Sequence, residues 1–413
     1  MKTKSLVCIG LIAVLFTAGF ITPGAFLESS GPSKMSATSF WETSPFSPDL
    51  LPVCPAGISY GETIECSIVS SETDSYTFSG STGDRVIARV QITSGNIDPV
   101  LSIDNPLCTT STIFNILELA CTLTSDGTHT VNVSGSASQT GSYNLHLQRS
   151  NSPANQTAIA YGQTLSGDIS VAPEMDVFAF SGSAGDRVIV RMQITSGTLD
   201  PNLRIYNPDG SQLCTNGTIF NQLEINCILV ASGSHTIFAY GGDAQTGSYN
   251  LHLQRSNDPA NQTAIAYGQS PSGSIAVAPE MDVFAFSGNA GDRVIVRMQI
   301  TSGTLDPNLR IYNPDGSQLC TNGTIFNQLE INCILVASGS HTIFAYGGDA
   351  QTGSYNLHLQ RSNDPANQTA IAYGQSPSGS IAVAPEMDVF AFSGNAGDRV
   401  IVRMQITSGT LDP

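Results

Sequence analysis

The sequence predicts an all-β protein built of tandem antiparallel β-sandwich domains after an N-terminal signal segment. One observation is an internal repeat: residues 176–201 return almost unchanged at 282–307 and 388–413, and in a diverged form at 74–99. The other is the pattern within each copy. Apolar and polar residues alternate over short runs separated by Gly, Asn, Asp and Pro, which is typical of short strands and tight turns.

The period of the repeat defines the domains. Tyr161, Tyr267 and Tyr373 begin equivalent segments 106 residues apart. A unit of about 100 residues can bury its own core, so we expect bead-like domains and no solenoid of short repeats. The predicted segments are a signal peptide at 1–25, a flexible linker at 26–53, repeat 1 at 54–150, repeat 2 at 151–256, repeat 3 at 257–362 and a truncated repeat 4 at 363–413.

The first 53 residues differ in composition from the repeats. Lys2 and Lys4 precede the apolar run Leu6–Ile21, and small residues follow it, which is typical of an export signal. An uncleaved membrane anchor is the alternative interpretation. Residues 26–53 are rich in Ser, Pro and Thr. We therefore expect a secreted or cell-surface protein that contacts a membrane only through its N-terminal segment, if that segment stays uncleaved.

Comparison of the copies predicts which side chains face the core. Phe178 and Phe180 match Tyr76 and Phe78, whereas their neighbours are polar in the first copy, so the aromatic residues should point inward. In the next strand the inward set is Val188, Val190, Met192 and Ile194. The residues expected to face outward are Arg187, Ile189, Arg191 and Gln193.

Several motifs that follow one another in each repeat resemble those of a known domain family. The segments DVFAFSGSAGDRVIV, LDPNLRIYNPDG and GSYNLHL, in this order after a YGQ turn, together resemble the bacterial and archaeal pre-peptidase C-terminal domain. The resemblance covers three complete copies and half of a fourth. It implies a jelly-roll-like sandwich that is non-catalytic, is appended to exported proteases and other hydrolases, and serves secretion, substrate attachment or surface localisation. Because the fourth copy stops in mid-domain at Pro413, we expect the natural protein to continue.

The cysteines of the repeats predict disulfides. Each complete copy holds one pair with twelve intervening residues, and the first copy holds an additional pair. An even number of cysteines in an exported chain favours disulfides. A zinc site would need four ligands, and no suitably spaced histidine accompanies each pair. The predicted pairs are Cys54/Cys66, Cys108/Cys121, Cys214/Cys227 and Cys320/Cys333.

The sequence contains no pattern of residues that predicts catalysis. The segment Gly57–Gly61 matches the G-x-S-x-G nucleophile motif, but the other copies carry Ala in place of Ser59. His235 and His252 are expected to be structural or solvated. Asp176, Asp186, Asp200 and Asp209 stand at turns or strand ends and predict turn chemistry, with a structural calcium ion as the alternative. We expect no cofactor and no catalytic residue.

An aromatic face distinguishes the later copies from the first. Tyr206, Phe238 and Tyr240 of repeat 2 occupy outward positions where repeat 1 has polar residues. Grouped exposed aromatic residues are unusual on a free domain. Two hypotheses remain open, namely packing against a successive repeat or a loop, and a platform for sugar or peptide ligands. The equivalent residues of repeat 3 are Tyr312, Phe344 and Tyr346, and those of repeat 1 are Asp104, Asn132 and Ser134.

These observations predict a non-enzymatic exported protein that serves as a stalk, an adhesin or a surface-attachment array. The alternative is an accessory region of a secreted protease or other hydrolase whose catalytic domain lies outside these residues. The candidate partners are extracellular polysaccharide, a protein substrate or neighbouring repeats. Nucleic-acid binding is not expected, because the net charge is −17 and only 12% of the residues are charged.

Overall fold

The computed structural model of the protein describes residues 54–412, except residues 105, 106 and 137. The predicted signal peptide and linker therefore lie outside the described residues. Within the described part every regular element is a β-strand. These residues include no helix with the length and hydropathy of a transmembrane span.

The strands fall into the predicted repeats. In repeat 1 they are β1 (Glu62–Ile68), β2 (Thr73–Gly80), β3 (Arg85–Ile92), β4 (Val100–Ile103), β5 (Cys108–Ser111), β6 (Ile116–Thr122), β7 (Gly127–Ser134) and β8 (Gly141–Arg149). In repeat 2 they are β9 (Gln156–Ala158), β10 (Gln163–Ile169), β11 (Met175–Gly182), β12 (Arg187–Ile194), β13 (Pro201–Tyr206), β14 (Gln212–Gly217), β15 (Gln222–Ile228), β16 (Gly233–Gly241) and β17 (Gly247–Arg255).

Repeat 3 follows repeat 2 closely. Its strands are β18 (Gln262–Ala264), β19 (Ser272–Ile275), β20 (Met281–Gly288), β21 (Arg293–Gly303), β22 (Pro307–Tyr312), β23 (Gln318–Gly323), β24 (Gln328–Ile334), β25 (Gly339–Gly347) and β26 (Gly353–Arg361). The described residues of the fourth copy contain only β27 (Gln368–Ala370) and β28 (Val389–Ala391). The two pair in parallel, and no sandwich is formed there.

Each complete repeat consists of two sheets. We call the β2-β7-β4-β5 sheet of repeat 1 and its equivalents in later repeats the leading sheet, and the β1-β8-β3-β6 sheet and its equivalents the trailing sheet. In repeats 2 and 3 the leading sheet gains a short parallel edge strand, β9 or β18. The two strand orders are those of an eight-stranded jelly roll, which confirms the predicted fold class.

The core of each repeat lies between its two sheets. Phe178 and Phe180 from the leading sheet pack against Val190 and Met192 from the trailing sheet, as the comparison of copies predicts. At one edge of this core the Tyr249 hydroxyl donates a hydrogen bond of 2.6 Å to the Asp176 carboxylate. Burial raises the pKa of Asp176, although this hydrogen bond opposes the effect.

The four predicted cysteine pairs are disulfides in the structure. Cys214 lies on β14, an edge strand of the leading sheet, and Cys227 lies on β15, an edge strand of the trailing sheet. The bridge therefore ties the two layers of the sandwich together along one edge. The additional bridge, between Cys54 and Cys66, fastens the start of repeat 1 to β1.

The other two repeats place their layer-to-layer bridges in the same way. Cys108 on β5 is bonded to Cys121 on β6, and Cys320 on β23 is bonded to Cys333 on β24. The spacing of the cysteines did not indicate how deep the bridges lie. The structure adds that Cys121 is only 5% exposed and packs in the core of repeat 1, as Cys227 and Cys333 do in theirs. These cysteines are therefore buried structural residues rather than accessible sites.

Removal of one layer-to-layer bridge, by Cys214→Ser with Cys227→Ser, should lower the free energy of unfolding by about 3 kcal/mol. The bridge closes a loop of about 14 residues and so restricts the unfolded chain. Urea denaturation of the purified chain, followed by circular dichroism, measures the change. The unmodified chain treated with reductant should move in the same direction, and an unchanged midpoint in both samples would contradict a structural role for the bridge.

Candidate functional site at the junctions between repeats

The predicted aromatic face of repeat 2 is buried. Tyr206, Phe238 and Tyr240 are 5%, 0% and 6% exposed, and they form one apolar cluster with residues of their own sheet and with Ile87 of repeat 1. The ring centroids of Tyr206 and Phe238 lie 4.7 Å apart. Of the two hypotheses for this face, the structure therefore shows packing between successive repeats, and it leaves no open aromatic platform for a ligand.

An arginine of the preceding repeat lies at the centre of this contact. Arg89 projects from β3 in the trailing sheet of repeat 1, and its guanidinium lies 4.5 Å from the ring centroid of Tyr240. Its Nη1 donates to the carbonyl of Pro173 at 2.9 Å, and its Nη2 donates to the carbonyl of Gly241 at 3.0 Å. Both carbonyls belong to repeat 2. The planar guanidinium can lie flat on a ring while its forked N–H groups donate hydrogen bonds in the plane, a geometry that a compact ammonium group does not have.

A glutamate of repeat 1 joins two arginines from different repeats. Glu118 accepts a 2.6 Å hydrogen bond from Arg204 of repeat 2 and forms an ion pair of 3.3 Å with Arg89. Burial lowers the pKa of Arg89, and Glu118 opposes that effect. Burial also acts to lower the pKa of Arg204, but the adjacent Glu118 carboxylate outweighs it and raises that pKa above its ordinary value. Because a guanidinium is not deprotonated in proteins, both arginines carry their charge within the junction.

The second junction repeats the first. Arg191 of repeat 2 donates to the carbonyls of Pro279 and Gly347 at 2.9 and 3.1 Å. Its guanidinium lies 4.4 Å from the ring centroid of Tyr346. Glu224 takes the place of Glu118 and accepts a 2.7 Å hydrogen bond from Arg310. The apolar part of this second cluster consists of Ile189, Met281, Val283, Tyr312, Phe344 and Tyr346.

The equivalent face of repeat 3 is less covered. Arg297 donates to the carbonyl of Pro385 at 3.1 Å, which reproduces one bond of the earlier junctions. Its side chain is nevertheless 24% exposed, whereas the side chain of Arg89 is 3% exposed. The difference arises because the described residues of the fourth copy form no leading sheet to cover the arginine.

The junctions correct two expectations from the sequence. Ile189, Arg191 and Gln193 point away from their own core as predicted, but they are buried rather than exposed to solvent. Val177, which the comparison of copies also placed outward, is buried as well. The physical reason is that the outer face of each trailing sheet lies against the next leading sheet. The complete repeats are therefore stacked, and the expectation of separate beads is wrong.

The trailing sheets also bury a histidine at each junction. His146 and His252 occupy equivalent outward positions on β8 and β17, and each Nδ1 lies 2.8 Å from a threonine hydroxyl. Burial, assisted by the positive charge of the junction arginine, lowers the pKa of each histidine to about 3. Both rings are therefore neutral near pH 7. His235 is also buried and stacks on the ring of Phe180.

The predicted acidic residues of repeat 2 have separate local partners. Asp186 accepts a 2.9 Å hydrogen bond from the backbone of Ser183 and pairs with Arg255. Asp209 accepts hydrogen bonds from Ser211 within the same turn. These contacts are the turn chemistry that the sequence predicts, and they leave the calcium alternative as an untested expectation.

Among the described residues, three side chains of the kinds that bind metal ions lie close together. They are Cys54, Cys66 and Asp74. The two cysteines are joined as a disulfide, so their sulfur atoms do not act as thiolate ligands.

Sequence reasoning missed two features. The first is the Arg–Glu–Arg bridge, whose only signal was arginine and glutamate at equivalent positions of successive copies. The second is an exposed Ile–Phe pair on the loop that joins the two cysteine-bearing edge strands of each repeat, which are β5 and β6, β14 and β15, and β23 and β24. Its residues are between 70% and 79% exposed, and the TIFN segment that contains them is present even in the diverged first copy. The pairs are Ile113/Phe114, Ile219/Phe220 and Ile325/Phe326.

Comparisons with known proteins give structural neighbours only. No protein-family model matches the chain, and no curated protein sequence matches it. The pre-peptidase C-terminal domain of a Bacillus anthracis collagenase matches at 16% identity over 25% of this chain and 98% of its own, with a TM-score of 0.23. Aeromonas hydrophila PliG, a periplasmic inhibitor of g-type lysozyme, matches at 17% identity over 24% and 96%, with a TM-score of 0.19.

A larger protein matches over most of the described repeats. The M60 catalytic domain of Clostridium perfringens ZmpB, with its two CBM51 domains, matches at 8% identity over 73% of this chain and 34% of its own, with a TM-score of 0.17. Identities and TM-scores this low assign no function, so the functional interpretation depends on the junctions and the exposed loops.

Replacement of a buried junction arginine should destabilise the stack. Arg191→Met leaves two buried carbonyls without donors and removes one partner of Glu224, so the free energy of unfolding should fall by about 3 kcal/mol. Arg297→Met is the matched control, because the same residue in the same sequence context is partly exposed, and it should cost less than about 1 kcal/mol. Chemical denaturation of both variants measures the difference, and equal losses would contradict the junction geometry.

Acidification from pH 7 to pH 5 should weaken the stack. The pKa of His146 and of His252 is about 3 in the folded chain and 6.5 for an unperturbed histidine, so the unfolded chain takes up protons that the folded chain does not. Stability therefore falls as the pH falls through this window, by about 2 kcal/mol for each histidine. Urea titrations at pH 7, 6 and 5 measure the slope. His146→Gln with His252→Gln should flatten it, and an unchanged slope would refute this assignment.

Proposed function

We propose that the chain is a non-catalytic exported protein whose sandwich repeats stack into a rigid stalk. The observation that carries the proposal is the junction, in which a fully buried arginine of one repeat binds two carbonyls and a tyrosine ring of the next. Two successive junctions have the same geometry. Domains that are joined only by a linker are expected to move relative to one another, unless the interface between them is large and apolar.

The energetics of the junction favour rigidity. Bending at a junction would separate Arg191 from its carbonyl partners while exposing the apolar cluster around Phe344. A buried charge that loses its partners costs several kcal/mol, and the exposed aromatic area adds to that cost. Opening is therefore expected to be rare, so that the length of the stack is set by the number of repeats.

The groups that could support chemistry have structural uses, which supports a non-catalytic role. The buried histidines at the junctions face threonine hydroxyls, and the arginines and glutamates bind one another across the repeats. The four disulfides support an oxidising, extracellular location. A stalk of this kind could also serve as the accessory region of an exported hydrolase.

A second candidate function, attachment to an extracellular partner, is favoured by the exposed Ile–Phe pairs. Phe220 and its equivalents are large apolar side chains that are exposed to solvent. The turn is stabilised by a hydrogen bond from the backbone N–H of Phe220 to the Thr218 hydroxyl, which does not involve the aromatic ring. The pair therefore has no evident role in folding its own repeat. Three copies on one stack would bind a repetitive or extended partner with an avidity greater than that of any single contact.

Small-angle X-ray scattering tests the stalk. The unmodified chain should give the skewed pair-distance distribution and the well-defined maximum distance of stacked repeats that are held in one fixed arrangement. Arg89→Ala with Arg191→Ala should broaden that distribution and increase the flexibility seen in the Kratky plot, because both junctions lose their central donor. Arg297→Ala should leave both unchanged. Flexible, bead-like scattering from the unmodified chain would overturn the proposal.

Co-sedimentation tests attachment. The probes are insoluble chitin, insoluble cellulose and gelatin-coated beads, which sample polysaccharide and protein surfaces. Where the unmodified chain is retained, Phe220→Ser alone should weaken retention, and the triple change with Phe114→Ser and Phe326→Ser should abolish it with little effect on stability. Full retention of the triple variant would exclude these loops as the contact.

A further inference from the structure

Repeats 2 and 3 each carry an asparagine followed by a glycine at the end of an edge strand. The pairs are Asn216–Gly217 on β14 and Asn322–Gly323 on β23, and all four residues are exposed. No other asparagine of the chain precedes a glycine. Because glycine has no side chain, its backbone nitrogen can approach the side-chain amide of the preceding asparagine without steric hindrance.

The fold requires a glycine at position 217. Asn202 of β13 lies opposite Gly217 in the antiparallel ladder, and a Cβ atom on residue 217 would overlap the Asn202 Oδ1 atom. The Asn202 side chain is held in place, because its amide donates a 3.2 Å hydrogen bond to the Asp200 carbonyl. Repeat 1 pairs Val100 with Ser111 at these two positions and has no such glycine.

The backbone N–H of Gly217 points to the free side of the leading sheet. β14 is an edge strand of that sheet, and the next residue, Thr218, donates its backbone N–H to the Pro201 carbonyl across the ladder. Successive residues of an antiparallel strand alternate between bonding to the partner strand and facing away from it. The Gly217 N–H therefore faces away from β13, and its acceptor is the Oδ1 atom of Asn216 at 3.0 Å.

This contact brings two potentially reacting groups together. Because Oδ1 and Cγ belong to the same carbonyl group, the Gly217 nitrogen lies beside the carbon that it would attack. The other atom of the Asn216 amide, Nδ2, donates a 2.8 Å hydrogen bond to the backbone carbonyl of Glu224 on β15. Reacting groups that a fold holds in contact gain a large rate advantage over the same groups free in solution.

The pair in repeat 3 has the same geometry. The Gly323 N–H donates to Oδ1 of Asn322 at 3.0 Å, and Nδ2 of Asn322 donates to the carbonyl of Glu330 at 2.8 Å. A Cβ atom on residue 323 would overlap Oδ1 of Asn308. The arrangement is therefore a property of the later repeats, whereas repeat 1 has Thr110 in the place of the asparagine.

We propose that Asn216 and Asn322 are sites of spontaneous deamidation in the folded chain. The Gly217 nitrogen gives its proton to a base from the solvent and forms a bond to Cγ of Asn216. The Cγ–Nδ2 bond breaks, and Nδ2 takes up a proton and leaves as ammonia. Water then opens the cyclic imide at either of its carbonyl groups, which gives aspartate or isoaspartate. Asn322 reacts with Gly323 in the same way.

The reaction changes the edge of each affected repeat. A carboxylate cannot donate to the Glu224 carbonyl, so the side-chain hydrogen bond between β14 and β15 is lost and a negative charge faces a carbonyl oxygen. Isoaspartate also lengthens the backbone of β14 shortly before the exposed Ile219–Phe220 pair. Repeat 1 is not altered in this way, because Thr110 carries no amide.

Peptide mapping by mass spectrometry, after prolonged incubation of the full chain in mildly alkaline buffer, tests the proposal. The amides of Asn216 and Asn322 should be lost at least about tenfold faster than that of any other asparagine, since only these two are held against a glycine nitrogen. Aspartate and isoaspartate peptides should both form. Persistence of both amides in the folded chain, while the same chain in guanidinium chloride loses them, would overturn the proposal. Aspartate without isoaspartate would also overturn it, because direct hydrolysis forms no imide.

A matched variant gives repeat 2 the residues of repeat 1 at these positions. In this variant Asn322 should deamidate at an unchanged rate, while repeat 2 should retain its remaining amides. Loss of the amide of Asn221, in the adjoining loop, at the rate of Asn216 in the unmodified chain would show that exposure rather than the contact sets the rate, and would contradict the assignment. The changes are Asn202→Val, Asn216→Thr and Gly217→Ser.

Discussion

The rest of the arrangement depends on one buried guanidinium at each of the two junctions, that of Arg89 in repeat 1 and that of Arg191 in repeat 2. Arg89 and Arg191 each bind two carbonyls, a tyrosine ring and a glutamate that also holds an arginine of the following repeat. A buried charge is tolerated only when its partners are complete. The two sheet faces must therefore meet in one register, and this requirement orients each sandwich on its neighbour.

Because of this constraint, the aromatic face has a structural role in the junction. Tyr240 and Phe238 are held in the junction, so they are unavailable to a soluble ligand. Outside the junctions, the Ile–Phe pairs are large apolar side chains that remain 70% to 79% exposed. Under the proposed function, the sheet faces would determine the length of the stack and the loops would present its contacts.

Much of the fold could be predicted from the sequence, because each copy is a natural variant of the others. Alternation and the comparison of Phe178 with Tyr76 identified the core, and the cysteine spacing identified the bridges. Alternation shows only that Ile189 points away from its own core. Whether a second sheet covers that face depends on Met281, Phe344 and other residues more than 90 positions away, and no local pattern reports such a contact.

Calorimetry of the unmodified chain measures most directly whether the junctions make the repeats one structure. With the contacts of Arg89 and Arg191 intact, repeats 1 to 3 should unfold in a single transition, in which the calorimetric and van't Hoff enthalpies agree to a ratio of about one. Three separable transitions, or a ratio of about three, would show that the repeats unfold independently and would contradict the stacked arrangement.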